Sequence, residues 1–421
     1  MSKINRRLPP IILIAALTLA PLKVLAFSGT GQGTVGNPYK IATCEQLQDI
    51  ENDLDAYYVQ TGNIDCAVSA SWNSGAGFAP ISTFTGSYDG KGYSIDSIAI
   101  TQNSSSGVGL FSLAAGATIT NIHFNGGYIE NTGSGDVGAI AGGMSATAIS
   151  NCSVSSMTIT GIDGGGMVGY SVGGSINKCW LDADVNLSGY RYTGGITGLV
   201  MVGTTISNIY SAGNIGARGG LIGVLGTGTT LTNSYSTATV NYPSTAHVGG
   251  LIGSMDGVSD PTSASNLFFD GTVTGGLAAA IGEIVGARED GSTLSSSYFM
   301  GSGDGIGDAA GGSGTATALS IVADYFENND SVAPLTSWDF VDIWQITSGY
   351  PNLIFPDRPS DGDGDNYSDT EEDAGPNTGD GNDDGILDRN QTNVTTIFND
   401  VSDGFTVLES DCDSNFNTQI G

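Results

Sequence analysis

One short phrase keeps returning along this chain. It reads VGGLIG at Val248–Gly253, GGLIG at Gly219–Gly223, GGITG at Gly194–Gly198 and GGMVG at Gly165–Gly169. Looser copies are VGAIAG at Val137–Gly142, VGLFS at Val108–Ser112 and GEIVG at Gly282–Gly286. The apolar third position falls at Leu110, Ile140, Met167, Ile196, Leu221, Leu251 and Ile284, a mean spacing of 29 residues. A period in this range marks a solenoid or propeller built from one repeated supersecondary unit.

A second phrase lies between the copies: Thr-Ile-Thr-Asn-Ile-His-Phe from Thr118, Thr-Ile-Ser-Asn-Ile-Tyr-Ser from Thr205, Thr-Leu-Thr-Asn-Ser-Tyr-Ser from Thr230. Each repeat therefore holds two or three short strands rich in Ile, Val, Thr and Tyr, with Gly and Asn at the breaks. With 65 glycines in 421 residues, helices would be too costly. The drift in repeat length favours coils whose turns bulge outward without disturbing their neighbours. The expectation is an all-β fold, a right-handed parallel β-helix, with the phrase stacked from coil to coil and its glycines supplying corners at positive φ.

These phrases resemble the GLUG motif of bacterial secreted and surface proteins. The resemblance spans about Gly31–Pro356. It includes GTGQGTVGNPYKIATCEQLQDI near the start, FTGSYDGKGYSI at Phe84–Ile95 and WDFVDIWQITSGYPNL at Trp338–Leu353. It implies a β-helical stalk of the kind found in adhesin-like proteins, sometimes attached to peptidases, with no catalytic residues of its own.

The first 26 residues read as an export signal: Lys3, Arg6 and Arg7, an apolar run from Ile11 to Leu22, then Val24-Leu25-Ala26 before the cut. The run is too short and proline-interrupted for a comfortable membrane span. Export to the outside or surface of a Gram-negative cell follows, with no direct membrane span after cleavage. The formal charge is −31 and no acidic residue precedes Phe27, so the mature chain is more acidic still. Such a surface repels nucleic acid and anionic membranes, and pectin-like polyanions unless metal ions intervene.

The remaining organisation is read as a cap and first coils over 27–100, repeats over 101–300, and closing coils with an end cap over 301–356. Acidic repeats follow over 357–393, then the start of a β-domain over 394–421 that stops at Gly421 before any sorting motif or hydrophobic anchor. Thr43 and Gln46 make a capping box, with Leu47, Ile50 and Leu54 on one helical face. That short helix covers the first coil, and Trp338–Leu353 is expected to close the far end. Among five cysteines, Cys44 and Cys66 are expected to pair. Cys152 and Cys179 occupy matching repeat positions, which fits either a bond between coils or two stacked thiols. Cys412 has no obvious partner.

The acidic segment carries the sharpest chemical signal. In DGDGDNYSDTEE, Asp361, Asp363, Asp365, Asp369 and Glu372 stand at positions 1, 3, 5, 9 and 12 of an EF-hand-like loop, with the Tyr367 carbonyl at position 7. DGNDDGILDRNQ repeats the spacing through Asp380, Asn382, Asp384, Ile386 and Asp388, with Gln391 in place of the bidentate Glu. Close carboxylates repel one another until a cation arrives, so calcium is the expected cofactor. Without flanking amphipathic helices, the loops resemble thrombospondin type 3 or dockerin-like repeats.

Catalytic signals are sparse. GYSVG at Gly169–Gly173 matches the nucleophile elbow around Ser171 but lacks a following helix signal. His123 and His247 lie in separate repeats and form no zinc motif. Asp163, Asp182, Asp184 and Asp256 could pair across coils for glycoside hydrolysis. A column of His123, Trp180, Tyr210, Tyr235, Phe268 and Tyr298 recurs two residues after the Asn position. If the neighbouring aliphatic column points inward, this stripe points out, to stack on sugar rings or on itself. The expected function is a structural and adhesive stalk binding a glycan, or a host or sister-cell surface protein, without turnover. The alternative is a polysaccharide-active β-helix enzyme.

Overall fold

The computed structural model describes residues 27–354, apart from 190, 243–246, 276–280, 309–310, 320–334 and 348–349, and three strands between 394 and 420. Twenty-five of the described strands join one continuous sheet of parallel pairs, each strand pairing with its counterpart one coil away. The chain is a parallel β-solenoid.

Each coil begins on the glycine phrase, whose apolar third positions are all fully buried. Strands such as Ile222–Leu225, Ile252–Met255 and Val285–Arg288 stack here. After a corner the chain enters a Thr/Ser strand whose central residue points inward: Ile149 faces Ile176, which faces Ile206, then Leu231. The Asn corner follows, then the aromatic position. A third short strand closes the coil: Thr158–Thr160, Asn186–Ser188, Asn214–Gly216, Thr239–Tyr242 and Thr272–Gly275.

The phrase glycines serve a purpose different from the one expected. None has positive φ; that conformation falls instead on the Asn column and on other corner glycines such as Gly173 and Gly203. A Cβ on Gly138, Gly220 or Gly250 would collide with a carbonyl of the neighbouring coil. Close approach of backbones between coils, and not corner geometry, demands glycine in the phrase.

At the true corner Asn121, Asn151, Asn208, Asn233 and Asn266 all adopt the left-handed conformation with φ between 49° and 56°. Asn enters that region more readily than most residues, and its amide can bond along the stack. Asn151 Nδ2 donates to Asn121 Oδ1 at 2.8 Å, and Asn266 Nδ2 to Asn233 Oδ1 at 2.9 Å.

The first coil is capped by a helix at Cys44–Gln48 that runs on as a 3-10 turn over Asp49–Asn52. Thr43 Oγ1 accepts the Gln46 N–H, and Gln46 Oε1 reaches back to the Ala42 N–H. Leu47 and Ile50 are buried, and Cys44 is bonded to Cys66. The far segment corrects the expectation of an end cap. Leu335, Trp338, Phe340, Trp344 and Leu353 form one buried cluster with Trp180, Tyr210, Tyr235, Phe268 and Tyr298. Residues 335–347 and 350–354, with a hairpin of Trp344–Thr347 and Tyr350–Leu353, thus lie along the side of the solenoid as a strap. Stacked aromatic rings present a continuous apolar surface, and the tryptophans cover it.

Candidate functional site

The aromatic stripe does point out of the solenoid, since its inward neighbours Cys152, Cys179, Ile209 and Leu267 are fully buried. Trp180 and Tyr210 stack at 6.3 Å between ring centroids, and Tyr210 and Tyr235 at 5.0 Å. Ser153 interrupts the column, which leaves room for Trp180 to approach the His123 ring at 5.6 Å. The Ser153 hydroxyl also bonds His123 Nδ1 at 2.8 Å. Tyr235 meets Trp344 at 6.3 Å and Tyr298 meets Trp338 at 5.7 Å, while Trp338 Nε1 donates to the Ser296 carbonyl. The proposed sugar-stacking residues therefore stack on themselves and on the strap, and none is more than 9% exposed.

The strongest ionisable constellation lies at the corner before the glycine phrase. Asp163 is 5% exposed. It is held by both Nε and Nη2 of Arg191 and accepts the Tyr192 N–H at 3.0 Å. Asp136 occupies the same corner one coil earlier, because Val137 bridges Gly164. Burial and then the Asp163 charge push its pKa up to about 6. Asp136 thus holds its proton under mildly acidic conditions, one coil from a side chain clamped by a guanidinium. Further up, Arg218 lies over the Tyr192 ring at 5.9 Å, and His247 faces Asp308 at 3.8 Å. Sequence reasoning named Asp163 but missed Asp136; the signal available was its place directly before VGAIAG, matching Asp163 before GGGMVG.

The other carboxylate candidates are used as acceptors within the scaffold, two of them between coils and one within a turn. Asp182 accepts the Tyr210 hydroxyl at 2.8 Å, Asp184 accepts the Ser156 N–H at 2.8 Å, and Asp256 accepts the Val258 N–H at 3.1 Å. They are not brought together with Asp163. Ser171 lies inside the strand Val168–Leu181 and is fully buried, so no strand-turn-helix elbow forms around it. Cys152 and Cys179 are register partners yet remain free thiols. Directly paired parallel strands hold Cβ atoms about one strand spacing of ~4.8 Å apart, beyond the roughly 3.8 Å typical of disulfides. Each thiol instead donates to the carbonyl two residues earlier, and burial raises the Cys152 pKa well above its usual value. Both acidic loops, Asp361–Glu372 and Asp380–Gln391, and Cys412 lie outside the described residues. Among the described residues no helix is long and apolar enough to cross a membrane.

No protein-family profile matches the chain, so the GLUG likeness rests on the residues quoted for it. The chain is similar to halomucin of Haloquadratum walsbyi, 35% identical over 261 residues. That match takes in 59% of this chain but spans only 3% of halomucin's length. Among solved structures it is similar to a Bacteroides ovatus chain provisionally assigned as an immunoglobulin A1 protease, at a TM-score of 0.48 and 19% identity. The match covers 77% of this chain and 94% of that one.

Proposed function

We propose that the protein is an exported stalk: a rigid β-solenoid, stiffened by calcium in its acidic segment, that presents binding surfaces to a glycan or cell-surface protein and does not turn its ligand over. The observation that carries the reading is the in-register stacking of coils from Ile81 to Asp308. Such stacking makes length and flat repeated faces. The likeness to part of halomucin supports a place outside the cell. Glycan arrays and whole-cell adhesion with the full chain, in calcium and in chelator, test it. Binding that needs calcium and falls in Asp361→Ala with Asp363→Ala is expected. Equal protease cleavage of the 358–394 segment with and without calcium would sink the stiffening role.

The second reading, a polysaccharide-active enzyme, draws on one pair. Asp136 would protonate a leaving oxygen while Asp163 faces the sugar, with water supplying the hydroxyl that replaces the leaving group. Release of reducing ends from a polysaccharide panel near pH 5, lost in both Asp136→Asn and Asp163→Asn with folding intact, would favour it over the stalk.

A further inference from the structure

The third short strand of each coil leaves a face that nothing above uses. In register from coil to coil, Thr158 pairs with Asn186, Asn186 with Asn214, and Asn214 with Thr239. Because strand residues alternate, the central Leu187 and Ile215 point inward and the flanking residues stand outward. Gly216 falls between Ser188 and Asn241 in the second outward column, and the missing side chain opens a groove of about 320 Å³ running along the stack. That volume lies in the range of ligand sites.

We propose that this groove binds a neutral, hydroxyl-rich oligosaccharide lying along the solenoid axis, with one ring stacked on Tyr128. The inference rests on the adhesive reading and names its ligand and site. None of the groove-lining residues ionises, on a chain of formal charge −31. Amides and hydroxyls both donate and accept, as sugar hydroxyls do. The Asn186 and Asn214 amides are aligned by a 3.3 Å bond between them. They offer the same pattern at successive coils, about 4.8 Å apart, to a polymer that repeats. Leu187 and Ile215 are turned inward beneath the groove, so ring stacking falls to Tyr128. Tyr128 pairs with Thr158 one coil below the groove and is 38% exposed, placed to stack on the ring that leaves it. A protein partner would want bulky aromatic or arginine anchors at its centre, and no aromatic or charged residue lines this groove.

The test titrates the full chain with neutral hexasaccharides (cello-, manno-, xylo- and maltohexaose) and with hexagalacturonate, at low and high salt. Saturable binding of at least one neutral hexasaccharide, indifferent to salt, is expected, with little binding of the anionic one. Asn186→Ala and Asn214→Ala should each weaken it about tenfold, the worth of one or two hydrogen bonds. Tyr128→Ala should weaken it roughly fivefold while Tyr128→Phe should not, since stacking needs the ring and not the hydroxyl. Circular dichroism confirms that the variants fold. No binding across the neutral panel, or binding untouched by the asparagine changes, overturns the groove. Cell adhesion that persists in those variants would leave the stalk reading standing without it, whereas a full chain that adheres to nothing would sink that reading itself.

Discussion

At the residue scale the Asn corner and the Asp136–Asp163 corner make opposite demands on single side chains. Lys178 stands where its counterparts are Asn, at φ 53°, and its ammonium cannot continue an amide ladder. Asn208 turns to Asn177 Oδ1 instead, at 2.7 Å, and buried Asn151 Oδ1 is left without a hydrogen-bond donor. Lys178→Asn should restore that bond and relieve the backbone, raising stability by about 1 kcal/mol in chemical denaturation. A loss of stability would mean that the lysine has a use of its own. Asp136 is held protonated beyond the ordinary carboxylate range, so the folded state binds its proton more tightly than the unfolded chain does. The stability it confers is complete below the ordinary 3.8 and is lost as pH rises through about 6. Asp136→Asn should therefore stabilise the protein at neutral pH, by roughly 1–2 kcal/mol after allowing for partial exposure. Melting curves from pH 4 to 8 should show the variant and parent converging at the acid end; parallel curves would contradict the assigned shift.

At the scale of elements the strap and the cap differ in kind. The cap is tied covalently by Cys44–Cys66, whereas the strap is held by ring contacts. Trp344 is fully buried against Trp338, with centroids 4.3 Å apart, and lies near Tyr235. Removing that ring should cost about 3–5 kcal/mol of strap docking, but the coils beneath are joined by their own hydrogen bonds. Trp344→Ala is expected to open the strap to protease and hydrogen exchange while the main melting transition moves little. Collapse of the whole transition would show instead that the strap is integral to the coils. The aromatic position was legible in the sequence because it recurs two residues after most of the corners, Ser153 being the exception. Its cover was not, because Trp338 and Trp344 lie far along the chain from Tyr298 and Tyr235, outside the repeat.

For the molecule as a whole, each coil touches mainly the coils before and after it. Cys179 pairs with Ile209 and Trp180 with Tyr210, so excising residues 179–208 joins Lys178 to Ile209 in the same register. The shortened chain should fold with the same β signature and be shorter by about one coil spacing of ~4.8 Å in X-ray scattering. Aggregation or loss of cooperative melting would argue that distant coils depend on one another.

The recurrence of Leu110, Ile140, Met167 and their successors was enough to specify a stacked β-solenoid. A coil can bury that position only against its own copies, and the copies are local features of the sequence. The cap was equally readable, since Thr43, Gln46, Leu47 and Ile50 lie within one short stretch. What needed the tertiary structure was everything set by contacts between coils. The phrase glycines proved to yield space to a neighbouring backbone, the Cys152 and Cys179 thiols stayed apart at strand spacing, and burial together with the Asp163 charge a whole repeat away raised the proton affinity of Asp136. The groove over Gly216 belongs to the same class. One missing side chain is invisible along the chain, and it becomes a site only when Ser188 and Asn241 rise on either side of it.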